Sequence, residues 1–318
     1  MPPAISIVIP TYKREALLQI LLDSVLDQSV LPSKYEVVVV DNSPTPHEPT
    51  QELCRSSRYS LLNLKCVHNP VLGISQARNY GMRYTTAPWV AFIDDDEKLP
   101  LHWVERAIEI IENKSPNLFG GPYHPYHLEA KPVWFKDKYL ARTLGMKIGW
   151  LENGELLFGG NLVIQRKWLD QLKGFSTDLG RRGDTEEYGE DAELQLRARR
   201  SGANFYYDSE LYVFHNVLPK QHHPEWFITS ASYQGKADAR LYSGEERRGK
   251  SAVGYTLSQL KNSIVQGLYV AGLYLYSPFR DKNVAAFRET YLVESVAPAV
   301  LELSKSWNSF LLSFKKNV

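Results

Sequence analysis

Trp89-Val90-Ala91-Phe92-Ile93-Asp94-Asp95-Asp96-Glu97 sets an apolar run directly against four acids. A short apolar run bounded by polar residues reads as a buried strand. Three adjacent carboxylates repel one another, which costs free energy unless a cation offsets it. Hard divalent cations such as Mn²⁺ and Mg²⁺ prefer oxygen ligands and share them with substrate phosphates. A turn at the strand end lets alternate carboxylates point into one cleft. The bland alternative is a solvated acidic turn before a helix that starts near Leu101. The placement directly behind the apolar run favours the metal.

Working outward, the same grammar repeats. Ile5-Ser6-Ile7-Val8-Ile9 is a short β-branched strand followed by Pro10, Thr11 and Tyr12. Leu17, Leu18, Leu21, Leu22 and Val25 recur at helical spacing, which predicts an amphipathic helix over about 14–28. Tyr35 to Val40 is a second strand, ended by Asp41 and Asn42. A third runs from about Leu64 to Val67, and a helix from Ser75 to Tyr84 follows Gly73. Alternating strands and helices predict an α/β fold with a mainly parallel sheet and helices on both faces. Such sheets bind ligands beyond the carboxyl ends of their strands, where Thr11, Asp41 and Asp94 to Asp96 fall.

Residues 120–158 break the pattern with glycines, prolines and aromatics, including Trp134, and read as irregular or short-strand structure. Tyr123 to Trp150 and the loop Arg181 to Tyr188 are expected to shape an acceptor site. Order returns with a strand at Leu162 to Ile164, a helix near Lys167 to Leu172, a charged helix over Glu190 to Ser201 and a strand at Leu211 to Phe214. The C-terminal part looks helical, which divides the chain into a domain over 1–235 and a helical extension over 236–318. Asn262 to Phe279 holds 18 residues without a charge. Its glycines, tyrosines and amides suit a packed or interfacial helix better than a membrane span. Arg280 and Lys282 just after it suit a headgroup surface.

Further constellations carry chemistry. Gly159-Gly160-Asn161 is a small-residue turn that allows close backbone approach to a ligand, here an acceptor. Glu190-Asp191 opens the charged helix. Either acid can act as a general base toward an acceptor hydroxyl, and a helix N-cap role is the bland alternative for Asp191. His215, directly after a strand, is a candidate third metal ligand, with His222 and His223 as weaker ones. Arg78, in Gly73-Ile74-Ser75-Gln76-Ala77-Arg78-Asn79, can offset diphosphate charge.

Composition narrows the classes. The chain has 318 residues, 43% hydrophobic and 23% charged, an ordinary globular balance. A net charge of +1 supplies no global field for nucleic acid, so none is expected as a partner. Cys54 and Cys66 make no C-x-x-C pair, which favours a reducing compartment. No basic region precedes an apolar core at the N-terminus, so no signal peptide is expected. The expected location is the cytoplasm, with peripheral contact at the inner membrane face through the C-terminal helices.

Taken together, Ile9-Pro10-Thr11-Tyr12-Lys13-Arg14, Val39-Val40-Asp41-Asn42-Ser43, the Gly73 to Asn79 segment, Phe92 to Asp96, Gly174-Phe175 and Gly189-Glu190-Asp191 resemble the family 2 glycosyltransferases with their GT-A fold. The resemblance spans about residues 4–217. It implies that Pro10, Thr11, Tyr12, Arg14, Asp41 and Asn42 belong to the donor-nucleotide pocket, with Tyr12 stacking on the base and Asp41 accepting from base or ribose. It implies that Arg78 lies near the base or diphosphate, Asp94 and Asp95 near ribose and sugar, and Asp96 on the metal, with Asp94 and His215 as further ligands. It implies Asp191 as catalytic base, with Glu190 as its rival. Gly160, Asn161 and Trp134 are expected on the acceptor side. The implied activity is inverting transfer of a sugar from a nucleotide-sugar, UDP-linked by resemblance, to a carbohydrate or lipid-linked acceptor in polysaccharide, glycolipid or cell-surface glycan synthesis.

Two other classes compete. A sugar-1-phosphate nucleotidyltransferase opens with a Gly-rich basic loop after its first strand, where this chain has Pro10-Thr11-Tyr12. A non-catalytic nucleotide-sugar-binding protein would not need acids at both the metal and the base positions.

Overall fold

A computed structural model describes residues 2–181, 187–246, 252–276 and 289–315. Ile5–Thr11 forms β1, Glu15–Leu26 α1, Tyr35–Asp41 β2, Glu48–Arg55 α2, Leu64–His68 β3, Ile74–Met82 α3 and Trp89–Phe92 β4. These are the strands and helices that the periodicity predicts, plus α2. That helix has eight residues and packs only Leu53 and Cys54 as apolar side chains on the core, too few to mark a helical period. Next come β5 (Glu97–Lys98), α4 (Trp103–Lys114), β6 (Leu118–Gly120), β7 (Tyr123–Tyr126), β8 (Ile148–Trp150), β9 (Leu162–Gln165), α5 (Arg166–Leu172), α6 (Glu190–Arg200), β10 (Phe205–Asp208) and β11 (Val213–Asn216). The late strand lies two residues beyond the stretch Leu211 to Phe214, so His215 sits inside β11 rather than after it. β10 had no predicted counterpart.

The main sheet has the order β3-β2-β1-β4-β9-β6-β10-β8. β1 pairs in parallel with β2 and β4, β2 with β3, and β6 with β10. β9 runs antiparallel to β4 and β6, and β8 to β10. Period-two alternation splits β1 between two cores. Ile5, Ile7 and Ile9 face Leu18, Leu21, Leu22 and Val25 of α1 and Trp103, Val104 and Ala107 of α4. Val8 faces the opposite side with Ala77 of α3, Leu169 of α5 and Leu194 of α6. Helices therefore cover both faces, as expected for the fold class. Leu21 is fully buried, and Leu21→Ala would cost about 2–5 kcal/mol. Gly81 lets α3 lie flat on the sheet, because a Cβ there would sit 2.6 Å from Val8 Cγ1 and 2.8 Å from Val40 Cγ2.

Parallel pairing brings the polar ends of β1, β2 and β4 to one edge, with Thr11 opposite Asp41. A small sheet of order β5-β11-β7 stands beyond the end of β4. It sets His215 opposite Glu97 and Val213 opposite Tyr123, and the Asn216 amide donates to the Asp96 carbonyl at 2.8 Å.

The chain divides into two compact units. One comprises the described parts of Met1–Tyr126, Leu140–Asp184 and Glu190–Asn216; the other those of His127–Tyr139, Thr185–Gly189 and Val217–Val318. The second unit is built on α7 (Pro224–Glu246), α8 (Ala252–Tyr276) and α9 (Ala297–Lys315), with one π-helical turn at Leu292–Val296. Among the described residues, no helix is long and apolar enough to cross a membrane. Arg280, Lys282 and the end of the uncharged stretch, residues 277–279, lie outside the described residues, as do residues 182–186 of the predicted acceptor loop.

Candidate active site

The strand-end acids do not point as a group into solvent. Each is turned to a different partner. Asp95, 5% exposed, accepts from Thr11 Oγ1 at 2.8 Å and from Arg14 Nη1 at 3.1 Å. Asp96 accepts from the same Arg14 nitrogen at 3.2 Å, and its other oxygen lies 3.5 Å from His215 Nε2. Asp94 accepts from Arg78 Nη2 at 2.8 Å. Glu97 closes the turn by accepting from the Asp94 amide at 3.2 Å, while its Oε1 is buried with no partner among the described residues.

Arg78 is the hub. It lies on the sheet-facing side of α3, 1% exposed, and its Nη1 donates to Glu190 Oε1 at 2.9 Å. Its guanidinium sits 5.3 Å from the Phe175 ring centroid. Phe175 is held in turn by Asn79, whose side chain pairs with both the Phe175 amide and carbonyl. The arginine thus ties the acid at the end of β4 to the acid at the start of α6. Its contacts with two carboxylates place it as a buried strut.

The cleft is short of positive charge. Burial, then the neighbouring Asp96 carboxylate, push the Asp95 carboxyl up to about 7 against the pull of Arg14 and Thr11. Burial and the Asp94 and Asp96 charges lift Glu97 well above the usual range. Asp94 behaves oppositely: burial works against its ionisation, but Arg78 outweighs it and holds the carboxyl low. At the start of α6, burial and the adjacent Asp191 push Glu190 up to about 7. Burial also raises Asp191, while Arg78 and the helix-start amides pull it back.

Gly159 and Gly160 pass between these two acid groups. A Cβ on Gly159 would lie 2.6 Å from Asp191 Oδ2, and one on Gly160 would lie 2.8 Å from Asp94 Oδ2. Only backbone fits there. Asn161 is fully buried, and its amide group is used inward, accepting from Trp103 Nε1 and donating to the Leu211 carbonyl.

On the nucleotide side, Asp41 is fully buried and accepts from the Ser43 and His47 amides and from Gln51 Nε2. Asn42 is likewise committed, donating to the Asn69 and Val71 carbonyls and accepting from the Gly73 amide. Pro10 is buried in β1. Tyr12 is the aromatic presented outward, 37% exposed. Trp134 belongs to the second unit, 6% exposed and stacked on Tyr139. His222 also lies there, stacked against His127. Sequence reasoning gave no specific role to Tyr123. Its phenol oxygen accepts from the Gly160 and Asn161 amides, and its ring stacks on His215. One tyrosine among many in an aromatic stretch carries no signal that singles it out.

Among the described residues, no three His, Cys, Asp or Glu side chains already converge as a metal-binding group. Asp96 and His215 supply an oxygen and an imidazole nitrogen side by side. Such a pair suits a hard divalent ion that takes its remaining ligands from phosphate and water.

Comparison with known proteins fixes the family. The model described as glycosyl transferase family 2 matches residues 6–173, more than half of the chain. The chain belongs to glycosyl transferase family 2. A glucosyl-dolichyl phosphate glucuronosyltransferase of Haloferax volcanii is 25% identical over 238 residues, covering 73% of this chain and 75% of that protein. The succinoglycan biosynthesis protein ExoM of Rhizobium meliloti is 24% identical over 242 residues, 74% of each. Among solved structures, the mannosyltransferase PcManGT from Pyrobaculum calidifontis, in complex with GDP-Man and Mn²⁺, is similar with a TM-score of 0.60 at 18% identity, covering 99% of this chain and 86% of that one. S. aureus TarS 1-349 in complex with UDP-GlcNAc gives 0.53 at 17% identity, covering 100% and 92%. These structural likenesses establish the GT-A fold. The family 2 chain is a glycosyltransferase, which sets the nucleotidyltransferase alternative aside.

Proposed function

We propose that the chain is an inverting, metal-dependent glycosyltransferase that moves a sugar from a UDP-sugar to a hydroxyl of a carbohydrate or lipid-linked acceptor in glycan synthesis. The observation that carries this reading is the joining of the β4 acids to the α6 acids through Arg78, with the Gly159-Gly160 backbone between them. That arrangement sets an acid-rich cleft, which a divalent cation would neutralise and so open to a diphosphate, beside a carboxylate suited to take a proton.

Tyr12, exposed at the end of β1, stacks on the base, and Asp41, buried and held by Ser43, His47 and Gln51, shapes the wall of the base pocket. Asp96 and His215 are the metal ligands, with Asp94 turned to Arg78. Mn²⁺ or Mg²⁺, when bound, supplies positive charge to the departing nucleoside diphosphate. Asp191 is the base rather than Glu190, because the Glu190 carboxylate is spent on Arg78. Burial raises the Asp191 carboxyl, which makes its ionised form a stronger proton acceptor. The acceptor hydroxyl loses its proton to Asp191 and attacks the anomeric carbon as the nucleoside diphosphate leaves from the opposite side, so the configuration inverts.

The relative that acts on a glucosyl-dolichyl phosphate supports a lipid-linked acceptor, and ExoM supports a polysaccharide. Along α8, Leu257, Ile264, Val265, Leu268 and Tyr269 are each more than half exposed. This supports peripheral contact with the cytoplasmic membrane face. The test is a panel of nucleotide-sugars with Mn²⁺ or EDTA, following nucleoside diphosphate release. Release that needs the metal supports the reading. Neither release nor binding with any donor would sink it.

A further inference from the structure

We propose that Tyr123 is a positioning residue that locks the acceptor-side turn to the imidazole of the metal side. This inference rests on the proposed function, since it assigns the sides by that reading. Its geometry stands on its own.

Tyr123 opens β7 and is fixed there by its backbone, which exchanges hydrogen bonds with Arg142 in both directions. Two things are then done by one side chain. The phenol oxygen accepts from the backbone amides of Gly160 and Asn161. The Asn161 side chain anchors its end of the turn to Trp103 and Leu211, and its backbone amide is shared with the Phe158 carbonyl. Gly159 and Gly160 have no side chain, and among the described residues the phenol is the side-chain acceptor that holds the Gly160 amide. The ring lies parallel to the His215 imidazole, 3° between planes with centroids 5.7 Å apart, and tilts against Phe158 at 5.5 Å. An imidazole on a strand has a rotatable ring, and a parallel aromatic neighbour restricts it to one plane. That plane directs Nε2 at Asp96.

The two contacts use different parts of Tyr123, so they can be separated. Tyr123→Phe keeps the ring and removes the oxygen. It leaves the Gly160 amide without its acceptor and frees that backbone, while the Asn161 amide keeps the Phe158 carbonyl at 3.2 Å. Tyr123→Leu removes both. With Tyr123→Phe, the acceptor KM should rise about tenfold, with donor affinity and the Mn²⁺ concentration for half-maximal rate unchanged. With Tyr123→Leu, the Mn²⁺ requirement should rise as well. A residue that served only packing would lower stability without splitting the acceptor from the metal parameter.

A second measurement needs no turnover. Amide hydrogen exchange at Gly160 should accelerate in Tyr123→Phe, and less so at Asn161, whose amide keeps the Phe158 carbonyl, while exchange in β1 and β4 stays as in the wild type. A wild type that neither binds nor turns over any donor refutes the proposed function, and amide exchange then decides the Tyr123 assignment alone. Unchanged exchange at both amides, or an active Tyr123→Phe enzyme with the wild-type acceptor KM, overturns the inference.

Discussion

Replacing Arg78 with methionine removes one cation from between two carboxylates that stay where they are. Arg78 is 1% exposed and donates to Asp94 at 2.8 Å and to Glu190 at 2.9 Å. Removing one partner of a buried ion pair costs about 3–5 kcal/mol, because the remaining charge is left uncompensated. Two acids are stranded here, but Glu190 already sits at about 7 with the arginine present. It escapes part of the penalty by taking a proton, so a loss near 4 kcal/mol is expected. The pH dependence follows from the direction of each shift. In the wild type, Arg78 holds Asp94 below its ordinary range, which contributes stability above the unfolded pKa. Without Arg78 both acids are raised in the folded state. A raised carboxyl contributes stability below its unfolded pKa and loses it as pH rises through the folded value. The deficit should therefore be larger near pH 8 than near pH 5. Urea unfolding of the wild type and Arg78→Met at both pH values measures it. A loss under about 1 kcal/mol, or one that does not shrink toward pH 5, would refute the strut. Abolished donor binding with unchanged stability would instead return Arg78 to the diphosphate.

Two further outcomes are expected. Gly160→Ala puts a methyl 2.8 Å from Asp94 Oδ2 and 2.5 Å from Glu97 Oε1; it should cost about 1–3 kcal/mol in urea unfolding and abolish transfer in the same preparation. Tyr12→Ala removes the exposed ring at the end of β1 and should weaken nucleoside diphosphate binding by about 1–3 kcal/mol in calorimetry, with unfolding unchanged.

Much of the first hundred residues is legible in the sequence because local pattern and tertiary role agree there. The β-branched run of β1 is buried along its length, and Leu18, Leu21, Leu22 and Val25 are the buried face of α1. The acids at the strand ends were visible for the same reason, since a parallel sheet brings those ends to one edge. Their partners were not visible. Arg78 finds Glu190 across 112 residues of chain, and no spacing rule records such a pairing. The expected strand over Leu211 to Phe214 ends two residues before β11 does, leaving His215 outside it, because β11 pairs with β5 and β7 rather than with the main sheet and its limits are set by neighbours distant in sequence. Tyr123 acts through the backbone of Gly160 and Asn161, and a contact to backbone leaves no trace in the partner's residue type.

The most direct test of the account is the transfer rate of Asp191→Asn measured beside its donor affinity in Mn²⁺. The account predicts a fall in kcat of about 10²–10⁴-fold with donor binding retained, because the β4 acids, Arg78 and Glu190 remain in place. Full transfer by Asp191→Asn would contradict it.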